Sequence, residues 1–372
     1  MGRLSELLKQ LTDISQTPDI QLKKYLGQGK KVIGCFPPYV PEELAAAAGM
    51  VPMGIWGSGL EPVRAKAYLP SFCCPIMHSS LEMGLDGTVK GLSAVMIPAL
   101  CDALRCITQN WKVGVKEIPV IPVTYPQNRK KAGLEFLESE YHLILKKLEE
   151  IAGREVEKTA LEETLDLYNR HSKVMMDFAE TANQHLDIIT PFVRHAVMKS
   201  AWFMEKAEHL ELVKEVTEEL RKRDPIVWKG KKVVLTGILA EPAELLAILE
   251  ECHIAVVGDD LAQESRQYRT PIPDGRDGIE RLAEQWGQRN CSLIHDTGKR
   301  RIIQMREAAE NTGATGVIVC MMKFCDPEEY DAPLIGKLMG NSDISVLNLE
   351  IDQQAGSMEQ LRTRIETFAE MI

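Results

Sequence analysis

Eight short apolar runs constrain this chain more than any other feature. Four lie early: Lys31-Val-Ile-Gly-Cys-Phe36, Val51–Ile55, Ala94–Pro98 and Pro119–Val123. Between them, helical patterns occur at Pro41–Gly49, with proline in the first turn and a terminating glycine, and at about 75–86 and 101–112. Strands that alternate with helices pair in parallel, because each return to the same end of a sheet needs a long crossover. The other four runs come late, at Lys232-Val-Val-Leu-Thr-Gly237 and near 254–257, 316–320 and 344–350.

From about 128 to 224 such runs are missing. Stretches such as Glu135–Glu149 instead carry apolar residues at helical spacing. The reading is α/β: two doubly wound parallel-sheet lobes with a helical insert between them. The expected divisions are 1–127 with a leading helix, 128–228 for the helical region, and 229–372 closed by a final helix from about Ser357.

A length of 372 residues suits two or three domains, and 45% hydrophobic with 26% charged residues is ordinary for folded ones. A net charge of −10 speaks against binding nucleic acid or anionic lipid. No apolar run approaches the roughly 18 residues of a membrane helix, and the first residues read as an amphipathic helix, so a cytoplasmic protein is expected. In such a compartment nine cysteines, an odd number, are not a disulfide framework. The segment at Lys232–Gly237 lacks the spaced glycines of a dinucleotide fold, and no P-loop, H-E-x-x-H helix or G-x-S-x-G elbow occurs.

Three cysteines fall where parallel sheets place functional groups, beyond strand ends or at the loop opening the next helix. Cys74 lies in Leu69-Pro-Ser-Phe-Cys-Cys-Pro75, Cys101 follows the 94–98 strand, and Cys325 follows the 316–320 strand. Facing lobes would bring these three thiols to one cleft. Thiolates suit iron–sulfur clusters or zinc, and Asp102 and Asp326 suit helix capping better than cluster ligation. The spacing matches neither ferredoxins nor structural zinc pairs, so a metal site and buried unliganded thiols both remain open.

Seven sequence words carry a resemblance. They are Ile33-Gly-Cys-Phe-Pro-Pro-Tyr-Val-Pro-Glu-Glu-Leu44, Leu69-Pro-Ser-Phe-Cys-Cys74, Ile97-Pro-Ala-Leu-Cys-Asp102, Gln109-Asn-Trp-Lys112, Pro126-Gln-Asn-Arg129, Gly258-Asp-Asp-Leu-Ala-Gln-Glu-Ser-Arg-Gln-Tyr-Arg269 and Lys323-Phe-Cys-Asp-Pro-Glu-Glu-Tyr330. In this order, over nearly the whole chain, the sequence resembles the smaller β subunit of the (R)-2-hydroxyacyl-CoA dehydratases of amino-acid-fermenting anaerobes, in particular the phenyllactyl- and 2-hydroxyisocaproyl-CoA members.

The resemblance implies a heterodimer with a homologous α subunit, a [4Fe–4S] cluster in each subunit, and a separate ATP-dependent iron–sulfur activator protein. It implies elimination of water through a ketyl radical to give an enoyl-CoA. The acyl-CoA substrate is expected to bind mainly through the α subunit, which leaves this subunit's cluster as an electron relay or store and the chain inactive alone. Carried over residue by residue, the cluster ligands are Cys74, Cys101 and Cys325, with Cys73 read as a packing neighbour. No general base is assigned. The alternatives are a subunit of a benzoyl-CoA-type reductase and a non-catalytic iron–sulfur scaffold.

Cys35, Cys106, Cys252, Cys291 and Cys320 read as structural thiols. His78, one turn beyond Cys74, reads as a satisfied or partner-facing histidine. The charged run Asp259–Arg269 reads as internal ion pairs, and Trp111, Trp228 and Trp286 as packing residues.

Overall fold

The computed structural model describes residues 2–291, 298–340, 342–353 and 358–372. Helix α1 (Arg3–Gln16) buries the stripe Leu4, Leu7, Leu11 and Ile14. The Thr17 hydroxyl donates to the Asp13 carbonyl at 2.7 Å, and Pro18 at the first helical position then starts α2 (Pro18–Gly27).

The first lobe follows as β1 (Val32–Cys35), α3 (Glu42–Ala47), β2 (Val51–Gly54), α4 (Pro75–Leu85), β3 (Ala94–Pro98), α5 (Asp102–Gly114) and β4 (Val120–Val123). Four helices come next: α6 (Lys131–Ala152), α7 (Lys158–Ala182), α8 (Pro191–Ser200) and α9 (Lys206–Arg221). The second lobe comprises β5 (Lys231–Gly237), α10 (Ala243–Glu251), β6 (Ile254–Leu261), α11 (Gly278–Gln288), α12 (Arg300–Thr312), β7 (Gly316–Met322), α13 (Asp326–Met339), β8 (Ser345–Ile351) and α14 (Met358–Met371).

Both sheets are parallel throughout and share one topology, β2-β1-β3-β4 in the first lobe and β6-β5-β7-β8 in the second. The expected doubly wound architecture is therefore present twice. In the second sheet Leu235, Ile318 and Cys320 turn toward the main core, while Val234, Val317 and Val319 join a smaller cluster on the other face. Burial on both faces explains why these strands read as continuous apolar runs. The main core runs without a break through both lobes and the helices between them: α7 lies along α9, α1 on α8 and α9, and α6 on α11. Among the described residues no helix is long and apolar enough to cross a membrane.

Candidate metal centre

In a sheet of order 2-1-3-4 the chain winds one way from β1 and the other way from β3. Loops leaving the carboxyl ends of these two strands part there and open a crevice where ligands bind. The second sheet repeats this between β5 and β7. Both crevices contribute to one pocket, with about 510 Å³ of atom-free space partly open to solvent. Pro37 and Pro38 enter it after β1, Cys74 and Met77 after β2, Cys101 and Leu104 after β3, Ile238 after β5, and Phe324, Cys325 and Asp326 after β7. At the end of β5, Gly237 has φ +139°, and a β-carbon there would stand 2.3 Å from the Cys320 carbonyl oxygen. Only glycine lets the chain turn at this place and deliver Ile238 to the pocket.

The structure thus brings Cys74, Cys101 and Cys325 onto one pocket wall, and Cys73, half-buried beside them, is not among the lining residues. Each of the three is the residue immediately before a helix: Cys74 before α4, Cys101 before α5 and Cys325 before α13. Pro75 and Pro327 occupy the first and second helical positions, where a missing N–H does no harm. Three helix N-termini, each carrying roughly half a positive charge, therefore point toward one place.

Burial pushes all three thiols up: Cys74 to about 12, Cys101 upward, and Cys325 well above its ordinary range. Against burial, the amides of Ile76 and Met77 favour the Cys74 thiolate, those of Ala103 and Leu104 the Cys101 thiolate, and that of Glu328 the Cys325 thiolate. The thiols also raise one another: Cys101 acts on Cys74, and Cys74 and Cys101 act on Cys325. As free groups the three stay protonated at neutral pH, and a metal would convert them to thiolates outright.

Among the described residues no three His, Cys, Asp or Glu side chains gather tightly enough to hold a single metal ion. One zinc ion would draw its sulfurs to about 2.3 Å from a common point. An iron–sulfur cube separates its ligand sulfurs far more widely. Three soft donors around an apolar pocket, backed by helix N-termini, fit a multi-iron cluster of net negative charge. Asp326 supplies the one other ionisable side chain lining that pocket among the described residues.

His78 is buried; its Nε2 lies 2.9 Å from the Pro70 carbonyl, which ties the segment leading to Cys74 onto α4. Asp260 pairs with Arg266 at 2.8 Å and also with Arg269, Asp259 meets Arg194 at 3.4 Å, and Glu264 meets His195 at 2.7 Å. The internal ion pairs expected in this run are present. The run's own spacing gave no sign of Arg301 and Glu328, which complete them from α12 and α13. Trp111 and Trp286 are buried, and Trp228 donates to the Lys231 carbonyl at 3.1 Å. All three pack as expected. Cys106, expected to be structural, is exposed, because α5 buries Leu104, Ile107, Thr108 and Trp111 and turns residue 106 outward. Cys291 lies beyond the end of α11 and is buried.

The family model for 2-hydroxyglutaryl-CoA dehydratase, D-component, matches residues 37–372. The chain is 44% identical to the (R)-phenyllactyl-CoA dehydratase beta subunit of Clostridium sporogenes, over 100% of both chains. It is 42% identical to the lactoyl-CoA dehydratase subunit beta of Anaerotignum propionicum, again over 100% of both. Identity to the (R)-2-hydroxyglutaryl-CoA dehydratase subunit beta of Acidaminococcus fermentans is 39%, over 99% of this chain and 100% of that one. The chain belongs to the 2-hydroxyglutaryl-CoA dehydratase D-component family, alongside the beta subunits of 2-hydroxyacyl-CoA dehydratases.

Proposed function

We propose that this chain is the β subunit of an (R)-2-hydroxyacyl-CoA dehydratase and holds a [4Fe–4S] cluster on Cys74, Cys101 and Cys325. The observation that carries the reading is the meeting of these three cysteines, each immediately before a helix and drawn from both lobes, on one pocket beyond the carboxyl ends of both sheets. When bound, such a cluster supplies a low-potential store for one electron. The chain's own part is to hold and shield it. The helix amides favour thiolate, Pro37, Pro38, Met77, Leu104 and Ile238 keep water from the cysteines, and Phe324 stands at the mouth.

The partner is a homologous α subunit, which is to carry most of the acyl-CoA site, and an ATP-dependent iron–sulfur activator supplies the electron. Large apolar side chains stand in solvent close in sequence to the cysteines: Phe72 is 69% exposed, Phe324, which lines the pocket, 46%, and Tyr330, on α13, 81%. An isolated exposed apolar residue is ordinary, but a group of them beside a redox pocket suits a covered interface.

The test is anaerobic assay of the chain with its α subunit and activator. Reversible dehydration of a 2-hydroxyacyl-CoA, with no net electron consumption and no activity for the chain alone, is expected. Stoichiometric electron consumption would favour a benzoyl-CoA-type reductase instead, and inactivity accompanied by cluster transfer would favour a scaffold.

A further inference from the structure

Beneath Cys325 lies a buried ionic cluster that the reading above leaves unused. Glu328 is the third residue of α13, where a glutamate ordinarily folds back onto the amide of the capping residue. Here the Cys325 amide donates to the Met322 carbonyl at 3.1 Å, and the Glu328 carboxylate turns inward. Its Oε1 accepts from both terminal nitrogens of Arg266, at 3.2 and 3.3 Å, and its Oε2 accepts from Arg301 at 2.7 Å. Both guanidiniums continue to Asp260, at 2.8 and 2.7 Å. Arg301 also reaches Asp331 at 2.7 Å and the Thr236 hydroxyl at 3.0 Å. Asp260, Glu328, Arg266 and Arg301 are all at most 2% exposed.

Among the described residues the first lobe has no counterpart. Cys101 follows β3 as Cys325 follows β7, yet three residues beyond Cys101 stands Leu104, an apolar residue lining the pocket. Two equivalent cysteines thus have opposite surroundings. An ionic cluster this deep is a poor stabilising device, because each desolvated ion costs several kcal/mol and packed apolar residues of the same volume often do as well. What apolar residues cannot supply is a fixed charge at a fixed place.

We infer that Glu328, clamped by Arg266 and Arg301, is a positioning residue that fixes the Cys325 end of the metal centre and, by its fixed negative charge, lowers the electron affinity of the cluster. The inference rests on the cluster reading above. Negative charge beside a group that gains an electron disfavours the reduced form, and Glu328 is the ionic cluster's carboxylate in the first turn of the helix that Cys325 precedes, its own amide donating to the Cys325 carbonyl at 3.0 Å.

The experiment uses the full chain purified anaerobically without its partner, so that its own cluster is the one titrated. Glu328→Gln keeps the shape and removes the charge, and should retain iron and sulfide while the reduction potential shifts positive. Glu328→Asp keeps the charge but withdraws it from the arginines. Its potential should stay closer to that of the wild type, while a chelator removes iron several-fold faster. A full cluster with unmoved potential in Glu328→Gln overturns the inference and leaves the cluster reading standing. Wild-type chain without iron and sulfide overturns the cluster reading itself. If the glutamine variant does not fold, the aspartate decides: iron loss at the wild-type rate overturns the inference.

Discussion

Cys101 and Cys325 occupy the same place in the two lobes, each beyond the third strand of its sheet and immediately before the helix that follows. Cys74 breaks this symmetry, since it follows β2, and the matching stretch after β6 carries Arg266 and Arg301 of the buried ionic cluster. The pocket is therefore assembled from both lobes. A relative movement of the lobes would change the separation of Cys325 from the other two sulfurs.

The protonated state of the free thiols sets their reactivity. Burial pushes the Cys74 thiol up to about 12, so it stays almost wholly protonated at pH 8. Cys106 is exposed. In metal-free chain, iodoacetamide should alkylate Cys106 at least tenfold faster than Cys74, Cys101 or Cys325, as read by peptide mass mapping. Equal rates would show that the half-buried Cys74 and Cys101 and the buried Cys325 are not held as protonated thiols.

Gly237→Ala places a methyl group against the Cys320 carbonyl in a backbone conformation that L side chains rarely adopt. Stability should fall by about 2 kcal/mol or more in urea unfolding. Because Ile238 enters the pocket next to this turn, iron should also be retained less firmly. A variant as stable as the wild type would contradict the placement of this turn.

His171 and His209 lie buried between α7 and α9, with Nε2 of the first 2.9 Å from Nδ1 of the second. Burial pushes both down, His209 to about 3. A histidine neutral in the fold but titrating near 6.5 when unfolded binds more protons in the unfolded state. Stability therefore falls as pH drops from about 6.5 toward 3. Between pH 7.5 and 5, His209 alone should account for roughly 2 kcal/mol of that loss. Urea unfolding of His209→Gln at these two pH values should show a loss smaller by that amount, and an unchanged loss would contradict the assignment.

Phe72→Ser and Tyr330→Ser change exposed side chains and should leave the melting temperature of the isolated chain nearly unchanged. If the α subunit covers this rim, each should weaken heterodimer formation by tenfold or more in anaerobic ultracentrifugation or titration calorimetry. Unaltered association by both would place the interface elsewhere.

The sheet strands were legible because both faces are buried. The reading at Ala94–Pro98 matches β3 residue for residue, and the helix starts at Pro75 and near Asp102 follow from proline and the preceding strand end. The strand expected at 254–257 runs on to Leu261, however, because Asp259 and Asp260 ended the apolar run although both are buried and paired. Their charge is neutralised by Arg194, by the nearby Arg266 and by the distant Arg301, and that last partner leaves no local pattern. The break between α1 and α2 was not read, although Thr17-Pro18 carries it. The final helix, expected from about Ser357, begins at Met358 among the described residues, and Ser357 lies outside them. Convergence of the three cysteines could not come from spacing, since it depends on two switch points in separate sheets. The family resemblance named the same three residues that the pocket brings together.

Iron and acid-labile sulfide analysis of anaerobically purified chain tests the central claim most directly, for the wild type and for Cys74→Ser, Cys101→Ser, Cys325→Ser and Cys73→Ser. About four irons and four sulfides per chain are expected in the wild type and in Cys73→Ser. Each of the other three variants should lose most of both. A full complement in Cys74→Ser, Cys101→Ser or Cys325→Ser would contradict the account.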